Sequence, residues 1–277
     1  MRVIVADQAG VCFGVKRALD LVDAEYEAGH TLSTLGPLIH NPQVVDDLER
    51  KGVRVVRSIA EAAEGAIVMP SHGVPREVLN EAEQAGLRTV DATCPFVEKV
   101  HSRVQALAAE GYLVVVVGDA GHSEVKAIRS AAGDSAIVVS SVDEIATHDW
   151  RGKKVGIVSQ TTQTPERFGE VVGKIAAIAS EVVAYNTICY ATHDRQTAAR
   201  NLAPEVDAMF VVGGRNSANT NRLAEICEEA GVPTYHIETA AEVDSAWTDG
   251  MTTLGLTAGA STPQWIIDEV KQSLEAL

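Results

Sequence analysis

The sequence predicts an α/β fold: three small α/β lobes with parallel sheets in a pseudo-threefold arrangement. Three observations predict it. Spacings counted from three of the four cysteines recur along the 277 residues. Short apolar runs alternate with helical patterns, as parallel βα units require. Hydrophobic residues make up 46% and charged residues 22%, the balance of a globular chain that buries a core.

The elements of one copy can be justified in order. An apolar run precedes each of Cys12, Cys94 and Cys189, as RVIVA, RTVDA and EVVAY. A helical pattern follows, as in VEKVHSRVQALAAEG after Cys94, with glycine closing it. Twenty-four residues after each cysteine stands a glycine, Gly36, Gly118 or Gly213, and four residues further a polar residue, His40, His122 or Ser217. An S/T-x-x-E signature comes next, as SIAE (Ser58 to Glu61), SVDE (Ser141 to Glu144) and TAAE (Thr239 to Glu242). Each hydroxyl is expected to cap the glutamate's N–H while the carboxylate reaches back. Last come an apolar run, a polar tip and a proline, in AIVMPSHGVP, VGIVSQTTQTP and LGLTAGASTP. Pro75, Pro165 and Pro263 suit the first turn of the next helix, where a missing N–H costs nothing. The repeat permits lobes 13–94, 95–188 and 189–277, with 1–12 set apart from the first, or an ordinary cut that keeps the opening strand with it.

A formal charge of −15 argues against nucleic acid or an anionic membrane as the principal partner. The opening MRVIVADQAGVCFG is too quickly interrupted for a signal peptide, and no stretch reaches membrane-spanning length. Four cysteines without CxxC spacing do not form a disulfide framework. The expected compartment is the reducing cytoplasm.

In βα units ligands gather at the carboxyl ends of the strands. A single cysteine there reads as a small buried residue; three at matching offsets read as equivalent ligands. Helix N-termini lower thiol pKa values and favour the thiolate. Structural zinc takes a fourth protein ligand, and a [4Fe–4S] cluster commonly takes four cysteines. Three would leave one iron open to a substrate oxygen. Cys227, in AEICEEA, has no counterpart in the other copies and reads as core packing. His40, His72, His122, Thr161, Thr162, Ser217, Asn219 and Ser261 stand at strand ends or helix starts, the donors that a diphosphate needs. Glu124 is the carboxylate beside a histidine at such a tip, and enclosure suits it to donate protons. His30, His101, His148, His193 and His236 have no place in the repeat and are left as surface or packing residues.

The motifs AGVCFGV, IHNPQVV, SHGV, DATCP, VGDAGHSEV, SQTTQT, ICYAT, GGRNSANTNRL and TAGAST run end to end. Together they resemble the 4-hydroxy-3-methylbut-2-enyl diphosphate reductase family of the methylerythritol phosphate route to isoprenoids. The resemblance implies lobes set around a central [4Fe–4S] cluster held by Cys12, Cys94 and Cys189, with residues 1–12 packing on the third lobe. The substrate is a small allylic diphosphate, which loses its hydroxyl as water with two electrons and two protons, giving isopentenyl and dimethylallyl diphosphates. His40, His72 and His122 would contact the diphosphate, and Ser217, Asn219 and Ser261 would complete the pocket. Glu124 would deliver protons, with His122 beside it and Thr161 near the hydroxyl. A ferredoxin or flavodoxin type protein would supply electrons.

Two departures stand out. Ala218 replaces a serine of some members, and its backbone N–H is expected to cover the lost hydroxyl. His193-Asp194 adds charge that carries no further reading. The rivals are a quinolinate synthase-like dehydratase and an electron carrier or sensor. A dicarboxylate would call for tip residues other than HSE, QTT and NSAN, and a carrier needs no polar pocket with a dedicated glutamate.

Overall fold

The computed structural model describes residues 1–62, 65–133 and 136–277. The chain opens on β1 (Arg2–Val5) and α1 (Phe13–Glu27). The first copy continues with β2 (Leu32–Leu35), α2 (Pro42–Arg50), β3 (Arg54–Val56), β4 (Ala66–Met69), α3 (Arg76–Gln84) and β5 (Arg88–Asp91). The second is α4 (Pro95–Ala109), β6 (Leu113–Val117), α5 (Ser123–Ala132), β7 (Ile137–Val139), β8 (Lys154–Ser159), α6 (Pro165–Ala176) and β9 (Glu181–Ala184). The third is α7 (Tyr190–Leu202), β10 (Ala208–Val212), α8 (Ala218–Glu229), β11 (Thr234–Ile237), β12 (Thr253–Ala258) and α9 (Gln264–Glu275).

These strands make three lobes, each on a four-stranded parallel sheet: β3-β2-β4-β5, β7-β6-β8-β9 and β11-β10-β12-β1. The order is the same each time. β1 pairs with β12, Arg2 opposite Thr253, in the place that β5 takes beside β4 and β9 beside β8. The repeat extends to single hydrogen bonds. Gly36, Gly118 and Gly213 each donate their N–H to the last carbonyl of the neighbouring strand, Val56, Val139 and Ile237.

The chain forms two compact units. One gathers Met1–Lys16, Ile39–Leu48 and Tyr190–Leu277 around the third sheet, and the other gathers Arg17–Leu38 and Glu49–Cys189 around the first two. In the second unit, β6 sends Val114 and Val116 to one face against Val100, Val104 and Leu107 of α4 and Ile128 of α5. Val115 and Val117 face α6 through Phe168, Val171 and Ile175. The period of two in the strand thus supplies two apolar faces, each covered by helix. In the first unit β10 does the same, Phe210 facing α9 and Met209 and Val211 facing α7 and α8. Ala66, Gly156 and Gly255 each stand three residues before the last residue of their strands, β4, β8 and β12. A Cβ on Gly156 would stand 2.7 Å from Leu107 of α4.

Two local expectations need correction. The S/T-x-x-E signatures open short 3₁₀ segments, Ile59–Glu61, Val142–Thr147 and Ala240–Glu242; the hydroxyls of Ser58 and Ser141 make no cap bond, whereas Thr239 and Glu242 form the expected capping box. In so tight a turn the carboxylate reaches further back. Glu61, Glu144 and Glu242 accept from the N–H groups of Arg57, Ser140 and Glu238, at 2.9, 3.0 and 2.8 Å. Pro165 is the first residue of α6, as expected, but Pro75 and Pro263 stand one residue outside α3 and α9.

Candidate active site

Cys12, Cys94 and Cys189 are half-buried, and each immediately precedes a helix, α1, α4 or α7. Each cysteine's N–H donates to the second residue beyond a strand end: Cys12 to Ala260 (3.1 Å), Cys94 to Ser71 (2.9 Å) and Cys189 to Thr161 (3.0 Å). One bond, repeated in three copies, fixes the three residues in one local pose. Two of the approaches share an Asx turn. Asp91 accepts from Thr93 N–H at 2.9 Å and Asn186 from Ile188 N–H at 3.1 Å, each three residues before its cysteine. Cys227, by contrast, is fully buried in α8 among Met209, Val211 and Leu223, and burial pushes its thiol up to about 12.

In the second unit, Glu124 lies in the first turn of α5 and is 4% exposed. Thr161 holds its carboxyl with two bonds: the N–H donates to Oε1 at 2.7 Å and the hydroxyl to Oε2 at 2.9 Å. Burial dominates those bonds and raises the carboxyl to about 7. His122 caps α5, its Nδ1 accepting from the Glu124 N–H at 3.2 Å. Burial holds its ring below the usual histidine range, so the neutral ring carries its proton on Nε2. His72 meets His122 edge-on with centroids 6.5 Å apart. Gly73 turns the chain behind His72 at φ +79°, and a Cβ there would press on His101 at 3.0 Å and Thr93 at 3.3 Å. His72, His122, Glu124, Thr161 and the segments of Cys94 and Cys189 are thus linked within one unit.

The first unit carries Cys12, His40, Ser217, Ala218, Asn219 and Ser261. Ser261 donates its hydroxyl to the His40 carbonyl at 3.0 Å, and Gly214 packs on the same oxygen, where a Cβ would stand at 2.7 Å. Ser217 caps α8, accepting from the Thr220 N–H at 3.4 Å. Ala218 is the first residue of α8, so its N–H has no partner inside the helix. Asn219 is 4% exposed, and both polar atoms of its amide are buried without a hydrogen-bond partner among the described residues. A buried, unmet amide costs about 1–3 kcal/mol, which a polar ligand recovers.

Sequence reasoning missed four supporting residues. Asn41, next to His40, caps α2 by accepting from the Val44 N–H at 3.0 Å. His40 therefore sits one residue before its cap, whereas His122 and Ser217 are caps themselves. Gln160 accepts from the Asp119 N–H at 3.0 Å and ties the β8 tip to the β6 tip. Asp91 and Asn186 were findable, since both lie at one offset in the repeat.

Three half-buried thiols are a soft donor set of the kind that an iron–sulfur group takes. No three His, Cys, Asp or Glu side chains among the described residues form a group that could hold one metal ion. A cluster of several irons takes its ligands on separate atoms, and three thiols at helix starts in one repeated pose suit it.

The chain matches the family model described as LytB protein over residues 3–275. It is 51% identical over 270 residues to the 4-hydroxy-3-methylbut-2-enyl diphosphate reductase of Pelobacter propionicus, covering 98% of this chain and 96% of that one. It is 50% identical over 275 residues to the enzyme of the same name from Trichlorobacter lovleyi, covering 99% and 98%. Among solved structures, one of (E)-4-hydroxy-3-methyl-but-2-enyl diphosphate reductase, the terminal enzyme of the non-mevalonate pathway, is 44% identical with a TM-score of 0.70 over 100% of both chains. The E-1-hydroxy-2-methyl-but-2-enyl-4-diphosphate reductase of Plasmodium falciparum is 27% identical with a TM-score of 0.92, over 100% of this chain and 87% of that one. A match over nearly the whole length, on a fold whose three lobes repeat the same cysteine pose, leaves one conclusion: the chain belongs to the LytB family.

Proposed function

We propose that this chain reduces (E)-4-hydroxy-3-methylbut-2-enyl diphosphate to isopentenyl and dimethylallyl diphosphates, as an iron–sulfur oxidoreductase of isoprenoid biosynthesis. Two electrons and two protons enter, the allylic C–O bond breaks, a C–H bond forms and water leaves. Cys12, Cys94 and Cys189 would hold a [4Fe–4S] cluster, which when bound supplies the electrons and an open iron as Lewis acid. A protein of ferredoxin or flavodoxin type is the proposed donor and the cytoplasm the proposed compartment. No helix among the described residues is long and apolar enough to cross a membrane.

The observation that carries the residue assignments is the buried Glu124, holding its proton to about 7 against the Thr161 hydroxyl. When Glu124 is protonated on Oε2, that bond reverses and the Thr161 hydroxyl hydrogen becomes available to the departing oxygen. A proton can thus move from a group shielded from water. The neutral His122 ring offers Nε2–H to the diphosphate, with His72 beside it. His40, Ser217, the Ala218 N–H and Asn219 supply further donors, and Ser261 holds the His40 segment in place. Donors fixed in this way stabilise an anion without bulk positive charge, in keeping with a chain of charge −15.

Protein purified without oxygen should be brown and carry about four irons per chain. A colourless, zinc-loaded anaerobic preparation would sink the cluster assignment.

A further inference from the structure

Two arginines outside the substrate machinery grip peptide carbonyls within two residues of the cysteines. Arg195 lies on α7, the helix that Cys189 begins, and is 3% exposed. Its Nη1 donates to the Ala191 carbonyl at 2.9 Å, two residues beyond Cys189. Its Nη2 donates to the Gly10 carbonyl at 2.7 Å, two residues before Cys12. Gly10 leaves no room for a side chain: φ is +97°, and a Cβ would meet Ile267 at 2.9 Å and the Thr262 carbonyl at 3.3 Å. Arg17 lies on α1, the helix that Cys12 begins, and its Nη1 donates to the Thr93 carbonyl at 3.1 Å, one residue before Cys94. The helix begun by one cysteine therefore braces the loop of another, from Cys189 to Cys12 and from Cys12 to Cys94.

A guanidinium stays charged at any pH a protein tolerates, and burial leaves its field less screened. Three thiolates around a [4Fe–4S] core carry net negative charge, and each electron taken up adds to it. A fixed cation bonded to a carbonyl one or two residues from a ligand stabilises the reduced form more than the oxidised one. Nearby charge and hydrogen bonding are among the levers that set such potentials.

We propose that Arg195 and Arg17 are positioning residues for the cluster, bracing its ligand loops and raising its reduction potential; this rests on the reading above that the three cysteines bind it. The aliphatic stem of Met keeps bulk but removes charge and donors, and Lys keeps charge but loses the fork.

The test compares anaerobically reconstituted wild type with Arg195→Met, Arg195→Lys and Arg17→Met. Arg88→Met is the control, because Arg88 is an exposed residue paired with Glu25. Iron per chain, the midpoint potential followed by electron paramagnetic resonance, and the melting temperature are measured together. Arg195→Met and Arg17→Met should move the midpoint to more negative potential, the buried Arg195 by more. Arg195→Lys should stay near the wild-type midpoint yet lose iron faster, and Arg88→Met should change neither. Wild-type midpoints and iron retention in both Met variants would overturn the proposal, even if their melting temperatures fell. If Arg195→Met does not fold, Arg17→Met decides by the same criterion. A wild type that takes up no iron would instead refute the cluster reading beneath it.

Discussion

Replacing Glu124 by Gln lowers turnover by about 10²–10⁴-fold, the range expected when a positioned general acid is removed, and leaves substrate binding intact. The amide oxygen still accepts from the Thr161 N–H, so the local structure survives, but no ionisable proton remains. The same substitution has a second signature. Burial raises the Glu124 carboxyl from its ordinary 4.5 to about 7, so the folded chain binds more protons than the unfolded chain between those values. Stability linked to that proton is fully present below pH 4.5 and is lost as pH rises towards 7, on the order of 3 kcal/mol in all. Glu124→Gln should flatten this part of the unfolding profile, read by denaturant melts across the window. Turnover near the wild-type level would remove Glu124 from the acid role.

Replacing Cys12, Cys94 or Cys189 by Ser should abolish turnover and strip iron from the anaerobic protein, each alone having the full effect. A hydroxyl is a poor substitute for a thiolate on iron, and two remaining ligands cannot hold the cluster. Cys227→Ala is the contrast. Its thiol is fully buried and pushed up to about 12, so it offers no thiolate near neutral pH. Iron should stay at the wild-type level there, with only a modest loss of stability from the small cavity. Iron loss on changing Cys227, or full iron after changing one of the other three, would redraw the ligand set.

Much of this was legible from spacing alone. Offsets from the cysteines located the strand-end glycines, the tips at His122 and Ser217, and the helices that follow each cysteine, because repeated βα units repeat their hydrogen bonds. Cys227 was separable by the same count, and RVIVA, recurring before the other cysteines, marked β1 as a strand without deciding which sheet it joins. What escaped was what local pattern does not encode. Ile39–Leu48 belongs with Tyr190–Leu277 rather than with its neighbours in sequence, through the grip of Gly214 and Ser261 on the His40 carbonyl. The S/T-x-x-E signatures name a carboxylate that reaches back but not how far, since that depends on the tightness of the turn. Arg195 sits in a polar stretch of α7 that no repeat offset singles out, and its partner Gly10 lies 185 residues away in sequence.

The most direct measurement is anaerobic turnover of the iron-loaded protein with (E)-4-hydroxy-3-methylbut-2-enyl diphosphate and dithionite as reductant. The expected result is consumption of the substrate, with isopentenyl and dimethylallyl diphosphates as the products and two electrons used per molecule. An iron-loaded protein that leaves the substrate intact under these conditions would contradict the assignment.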